Sequence, residues 1–82
     1  MYEVQHDPLA EHQRDALPAE AQPRYMELLA MLELAPWAGD PFKEDKPEGN
    51  MRKKVFGGCG IATYLVIEEQ RLVYVVRIIW LG

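Results

Sequence analysis

The sequence predicts an α+β fold: a short N-terminal strand, a two-helix hairpin, then a C-terminal antiparallel β-sheet. Three observations predict it. Tyr25, Leu28, Leu29 and Leu32 recur at i, i+3, i+4 and i+7, the spacing of an amphipathic helix that must be covered on one side. Residues 51–80 form three runs rich in β-branched and aromatic residues, separated only by short turns. Short turns join antiparallel strands, because a parallel pair needs a long crossover. Between the two regions lies PWAGDPFKEDKPEGN, with three prolines and two glycines, which reads as a connector.

Each element has a local reason. Tyr2 to Gln5 is a candidate edge strand. Asp7-Pro8 starts a helix, since aspartate accepts from free N–H groups and proline suits the first helical position. That helix is expected from Pro8 to about Ala16, with Leu9, Gln13 and Ala16 toward one face. The second begins at Pro18 with a bend at Pro23, or at Pro23 itself. It ends near Leu34 or Ala35, because Pro36 disfavours the α conformation in the residue before it. Trp37 and Phe42 are expected to pin the connector by packing. Met51–Phe56 is the first sheet strand, and Gly57-Gly58-Cys59-Gly60 is a hairpin turn, where glycine supplies positive φ. Ile61–Glu68 and Arg71 or Leu72 to Trp80 follow, joined at Glu69-Gln70. Strict alternation in the last strand sets Leu72, Tyr74, Val76, Ile78 and Trp80 on one face. Val73, Val75, Arg77 and Ile79 take the other. Both faces are apolar, so one should pack on the helices and the other under the connector or a second chain.

Eighty-two residues allow one hydrophobic core and a single domain, residues 1–82. No apolar run approaches the roughly 18–20 residues of a membrane span, and the first residues lack the pattern of a secretory signal. One cysteine, Cys59, and two histidines, His6 and His12, build neither an internal disulfide nor a zinc cage, so no cofactor is expected. The expected location is the cytoplasm. Net charge is −4, but it is divided: residues 1–48 hold 11 acids and 4 bases, residues 49–82 hold 2 acids and 5 bases. A polyanion would therefore meet the second half.

Candidate chemistry is concentrated there. GGCG lacks the Lys-Ser/Thr and following helix of a phosphate-binding loop. Cys59 is a turn residue unless a basic neighbour activates it. Arg52 and Lys54 share one side of their strand and Lys53 takes the other. Arg77, inside an apolar strand, must reach a carboxylate, a ligand or the sheet rim, because an unpaired buried charge costs several kcal/mol. Tyr64 either donates to a phosphate or is packed in the core.

The stretch GDPFKEDKPEGNMRKKVFGGCGIATYLVIEEQRLVYVVRI, together with the order of elements before it, resembles the RelE/ParE superfamily of bacterial toxin–antitoxin toxins. The resemblance implies a toxin covered by a cognate antitoxin. In the ribosome-dependent ribonuclease branch it implies mRNA cleavage, with Arg52 and Lys54 where the family's basic strand residues stabilise phosphate. Arg77 and Tyr64 complete the expected catalytic set. The pattern departs at Cys59-Gly60-Ile61, where an arginine is expected, and after Trp80, where family acid–base groups often follow. The alternative is a non-catalytic binding module on the same fold: a topoisomerase binder, a homodimer or a decayed toxin.

Overall fold

A computed structural model describes residues 1–82. Its strands are β1 (Glu3–His6), β2 (Asp40–Pro41), β3 (Met51–Phe56), β4 (Gly60–Ile67) and β5 (Leu72–Trp80); its helices are α1 (Pro8–Asp15) and α2 (Gln22–Leu34). The strands form one sheet in the order β1-β5-β4-β3-β2. β1 runs parallel to β5, and every other pairing is antiparallel. The fold class is as the sequence predicts. β2 is an addition: two residues of the connector pair with Arg52 and Lys53, and a single 3₁₀ turn precedes them at Pro36–Ala38.

The Asp7 side chain caps α1 by accepting from the Leu9 N–H at 2.9 Å. Its buried residue is Ala10, while Leu9 and Ala16 are exposed. This corrects the expected face. α1 packs beside β5, where Ala10 sits close to the sheet without a bulky side chain. Gln13 accepts from the Ile78 N–H at 2.7 Å. β1 pairs only with Leu72–Val75, so this contact satisfies a donor on the part of the β5 edge left without a strand.

α2 begins at Gln22, with Pro23 in its first turn, where a missing N–H leaves no bond unmade. Gln22 reaches back to the carbonyls of Arg14 and Leu17, satisfying acceptors at the end of α1. Tyr25, Leu28 and Leu32 are buried, with Leu29 and Met31 packed alongside. They meet Ala62, Tyr64, Val66, Val73, Val75 and Ile78 from the sheet in one core. Each large apolar side chain so buried contributes about 1.5–3 kcal/mol.

Strict alternation fails in β5. Thr63 faces Arg77 and Tyr64 faces Val75, so Val76 is an extra residue, a β-bulge. Val73 and Val75 point into the core before it, and Ile78 does so after it. Arg77 is thereby placed on the other face, exposed. The Phe56-to-Gly60 turn has φ +61° at Gly57 and +81° at Gly58, as the glycine cluster predicts. A β-carbon at Gly57 would also press on the Trp80 ring and the Arg24 side chain at 3.1–3.2 Å.

Candidate functional site

β3 begins on the connector. Because Phe56 is buried, alternation turns Lys54 and Arg52 to the helix side with it and leaves Met51, Lys53 and Val55 on the opposite face. Arg52 is 7% exposed. Its guanidinium donates to the backbone carbonyls of Gly39 at 3.0 Å, Pro47 at 3.2 Å and Gly49 at 2.9 Å. It also lies 5.4 Å from the centre of the Trp37 ring. Arg52 thus ties both ends of the connector to the sheet, and its donors are directed at protein carbonyls.

Tyr64 is fully buried beside it. Its O–H donates to the Pro36 carbonyl at 2.7 Å, and burial raises its pKa above the usual 10, outweighing the opposing charge of Arg52. Gly39 is required here because a β-carbon would occupy the space of the phenol oxygen. Lys54 lies on the same side of the sheet, half-buried in a groove of about 240 Å³ between α2 and β3 that Arg24, Leu28, Met31 and Phe56 also line. Arg77 is on the far face. The expected set of Arg52, Lys54, Arg77 and Tyr64 is therefore not assembled in one concavity. Two members hold the core and connector, one lines a groove, and one is on the open sheet.

The structure assembles a different group. Cross-strand partners share a face, and Lys53 pairs with Thr63, which pairs in turn with Arg77. Two strand spacings separate the two cations, roughly 9–10 Å between Cα atoms. Neither takes part in an ion pair; the three present are Arg14–Asp15, Arg24–Glu27 and Arg71–Glu68. The rows on either side are apolar: Val55, Ile61 and Ile79 below, Met51, Leu65 and Tyr74 above. Val55 is 55% exposed. No helix packs on this face. The Tyr74 hydroxyl donates to Asp7 at 3.1 Å, and its pKa is raised, first by burial and then by that carboxylate, so it is a neutral phenol at pH 7.

No histidine serves this face. His6 lies on the core side with its Nε2 2.7 Å from the Tyr25 hydroxyl, and burial, with Arg14 adding, lowers its pKa below the usual 6.5. His12 is on the exposed side of α1. No group of three or more His, Cys, Asp or Glu is placed to hold a metal ion, and no helix is long and apolar enough to cross a membrane.

Lys53 was hidden inside the run Arg52-Lys53-Lys54, yet a signal for it existed. Phe56 is the large aromatic of the strand and belongs to the core, so parity alone assigns residues 52 and 54 to the helix side and Lys53 to the other. The connector is fastened from outside as well. Glu68 accepts from Trp37 Nε1 at 2.8 Å and from the Tyr2 hydroxyl at 2.7 Å, and pairs with Arg71 at 3.0 Å. These bonds, Trp37's first, hold the Glu68 carboxyl below its usual range. The expected packing differs: Trp37, 39% exposed, fastens the connector through its hydrogen bond to Glu68 and its contact with Arg52, and Phe42 is 45% exposed.

No family model matches the chain, and no curated protein matches it. Solved structures do. A chain of the E. coli RelBE toxin–antitoxin complex superposes with a TM-score of 0.80 at 18% identity, covering 100% of this chain and 99% of that one. The isolated E. coli RelE toxin gives 0.81 at 16% identity, covering 100% and 86%. The archaeal RelE–RelB complex from Pyrococcus horikoshii gives 0.67 at 16% identity, covering 99% and 96%. The chain has the RelE fold from end to end.

Proposed function

We propose that the chain is the toxin subunit of a bacterial toxin–antitoxin pair, acting in the cytoplasm, and that the helix-free face of its sheet meets mRNA on the ribosome. One observation carries the reading: Lys53 and Arg77 flank Thr63 on a face without a helix, neither in a salt bridge, although Asp40 is the cross-strand neighbour of Lys53 on its other side. Two cations at that spacing neutralise phosphate charge, as cleavage by a ribose 2′-OH requires. Alignment and two proton transfers are the other requirements. The neutral Tyr74 phenol is directed at Asp7, so the ribosome is assigned the proton transfers. A cognate antitoxin, as in the neighbouring RelE–RelB complexes, fits the groove between α2 and β3. There the β3 edge at Lys54–Phe56 has no strand partner, and Met26 and Leu34 of α2 are exposed nearby along the helix.

A second reading rests on the row Val55–Ile61–Ile79. Where the resemblance expects an arginine, three aliphatic side chains adjoin, which suits a catalytically silent binder of a protein target. Expression alone and with a candidate antitoxin, followed by incubation of purified chain with programmed ribosomes, separates the two. The nuclease reading expects growth arrest relieved by the partner and codon-associated cleavage. It also expects cleavage to fall at least about tenfold in the Lys53→Ala/Arg77→Ala variant. Growth arrest without cleavage supports the binder; neither effect overturns both.

A further inference from the structure

The connector forms an open surface pocket of about 190 Å³, lined by Phe42, Lys43, Lys46, Gly49, Asn50 and Met51. We propose that it is a nucleotide subsite that holds one unstacked base of single-stranded RNA with its phosphate. The inference rests on the RNA reading of the sheet face and extends it. Three features carry it.

The first is composition. Phe42 lines the pocket and is 45% exposed as a residue, and an aromatic platform is what an unpaired base requires. The segment also contains Glu44, Asp45 and Glu48, yet the only charged residues lining the cavity are Lys43 and Lys46. Neither is in an ion pair. Asn50, whose backbone carbonyl is taken by the Val66 N–H, presents an amide able both to donate to and accept from a base edge.

The second is preorganisation. The Phe42 N–H donates to the Met51 carbonyl, Lys46 N–H to Lys43 and Gly49 N–H to Lys46, each at 3.0 Å. Arg52 holds the Pro47 and Gly49 carbonyls from beneath. A cavity formed in this way needs little ordering when it is filled. The third is position. Met51 forms one wall and shares the open sheet face with Lys53, two residues on and roughly 6.7 Å away along the strand. A strand of RNA lying on Lys53 and Arg77 therefore passes the mouth of the cavity.

NMR titration of the full chain with AMP, adenosine and inorganic phosphate tests this, with hexa-adenylate RNA as the longer probe. AMP is expected to shift the amides of Phe42, Lys46, Asn50 and Met51 and to bind more tightly than adenosine or phosphate. Phe42→Leu should weaken AMP at least about fivefold, the low end of stacking on an aromatic ring. Lys43→Gln/Lys46→Gln should remove the advantage of AMP over adenosine. Phosphate producing the same shifts at the same affinity, an unaffected Phe42→Leu variant, or unmoved amides would each overturn the subsite. The Lys53→Ala/Arg77→Ala variant keeps the readings separate: it should weaken hexa-adenylate and leave AMP unchanged. A chain without ribosomal activity that still binds AMP retains the subsite, whereas an active chain that ignores AMP loses it alone.

Discussion

Arg52 and Arg77 lie on neighbouring segments of similar composition and perform opposite tasks. Removing Arg52 leaves three backbone carbonyls without their donor, the Gly39 carbonyl buried and those of Pro47 and Gly49 nearer the surface. Arg52→Ala is therefore expected to cost about 3 kcal/mol, read as a lower urea midpoint, with Arg52→Lys intermediate because an ammonium cannot reproduce the planar fork. Arg77→Ala should change stability by no more than about 0.5 kcal/mol, since it removes an exposed side chain with no internal partner. An equal loss in both would contradict the assigned roles. His6 makes a prediction in pH. Its folded pKa is lowered by burial, so between that value and 6.5 the unfolded chain binds more protons than the folded one. Stability should fall as pH drops through that window and level off below it. Urea midpoints between pH 7.5 and 5 should show this slope, and His6→Gln should flatten it.

At the scale of the element, two glycines in one turn are unequal. Gly58 has positive φ in open space, so Gly58→Ala should cost about 1 kcal/mol. Gly57 adds the press of Trp80 and Arg24, and Gly57→Ala should cost clearly more; thermal unfolding of the two variants checks the order. The helices, the three long strands and the hairpin glycines were legible because period, caps and turn chemistry all act locally. The bulge at Val76 was not: a valine there has the same composition as its neighbours, and the shift appears only when β4 is laid beside β5. It places Arg77 on the open face while returning Ile78 to the core. The role of Arg52 was hidden for a similar reason, since the carbonyls it binds are brought to it by the path of a connector with no periodicity. Lys53 was within reach by parity with Phe56.

At the scale of the molecule, one side of the sheet carries a complete core and the other is apolar with two cations. The small core leaves a modest margin of stability, so a protein that binds only the folded chain should raise it. At a free partner concentration 100 times its Kd the gain is about 2.7 kcal/mol. Co-purified partner should shift the thermal midpoint upward in a concentration-dependent way, and an unshifted midpoint would show that the partner does not bind the folded state. The general architecture was readable because hairpins order three strands in sequence. The parallel insertion of β1 beside β5 was not, since no local feature selects which edge a lone strand joins.

That insertion has a consequence for synthesis. β5 is the last strand made and it sits between β4 and β1, so the earliest residues wait for the latest before their backbone groups are paired. A nascent chain bearing β1, α1 and α2 lacks the surface on which its helices rest, and helices of 8 and 13 residues are marginal without it. The sheet cannot be completed until β5 is available, so a chain truncated before Leu72 should leave the amides of β1 unprotected, which hydrogen exchange would check.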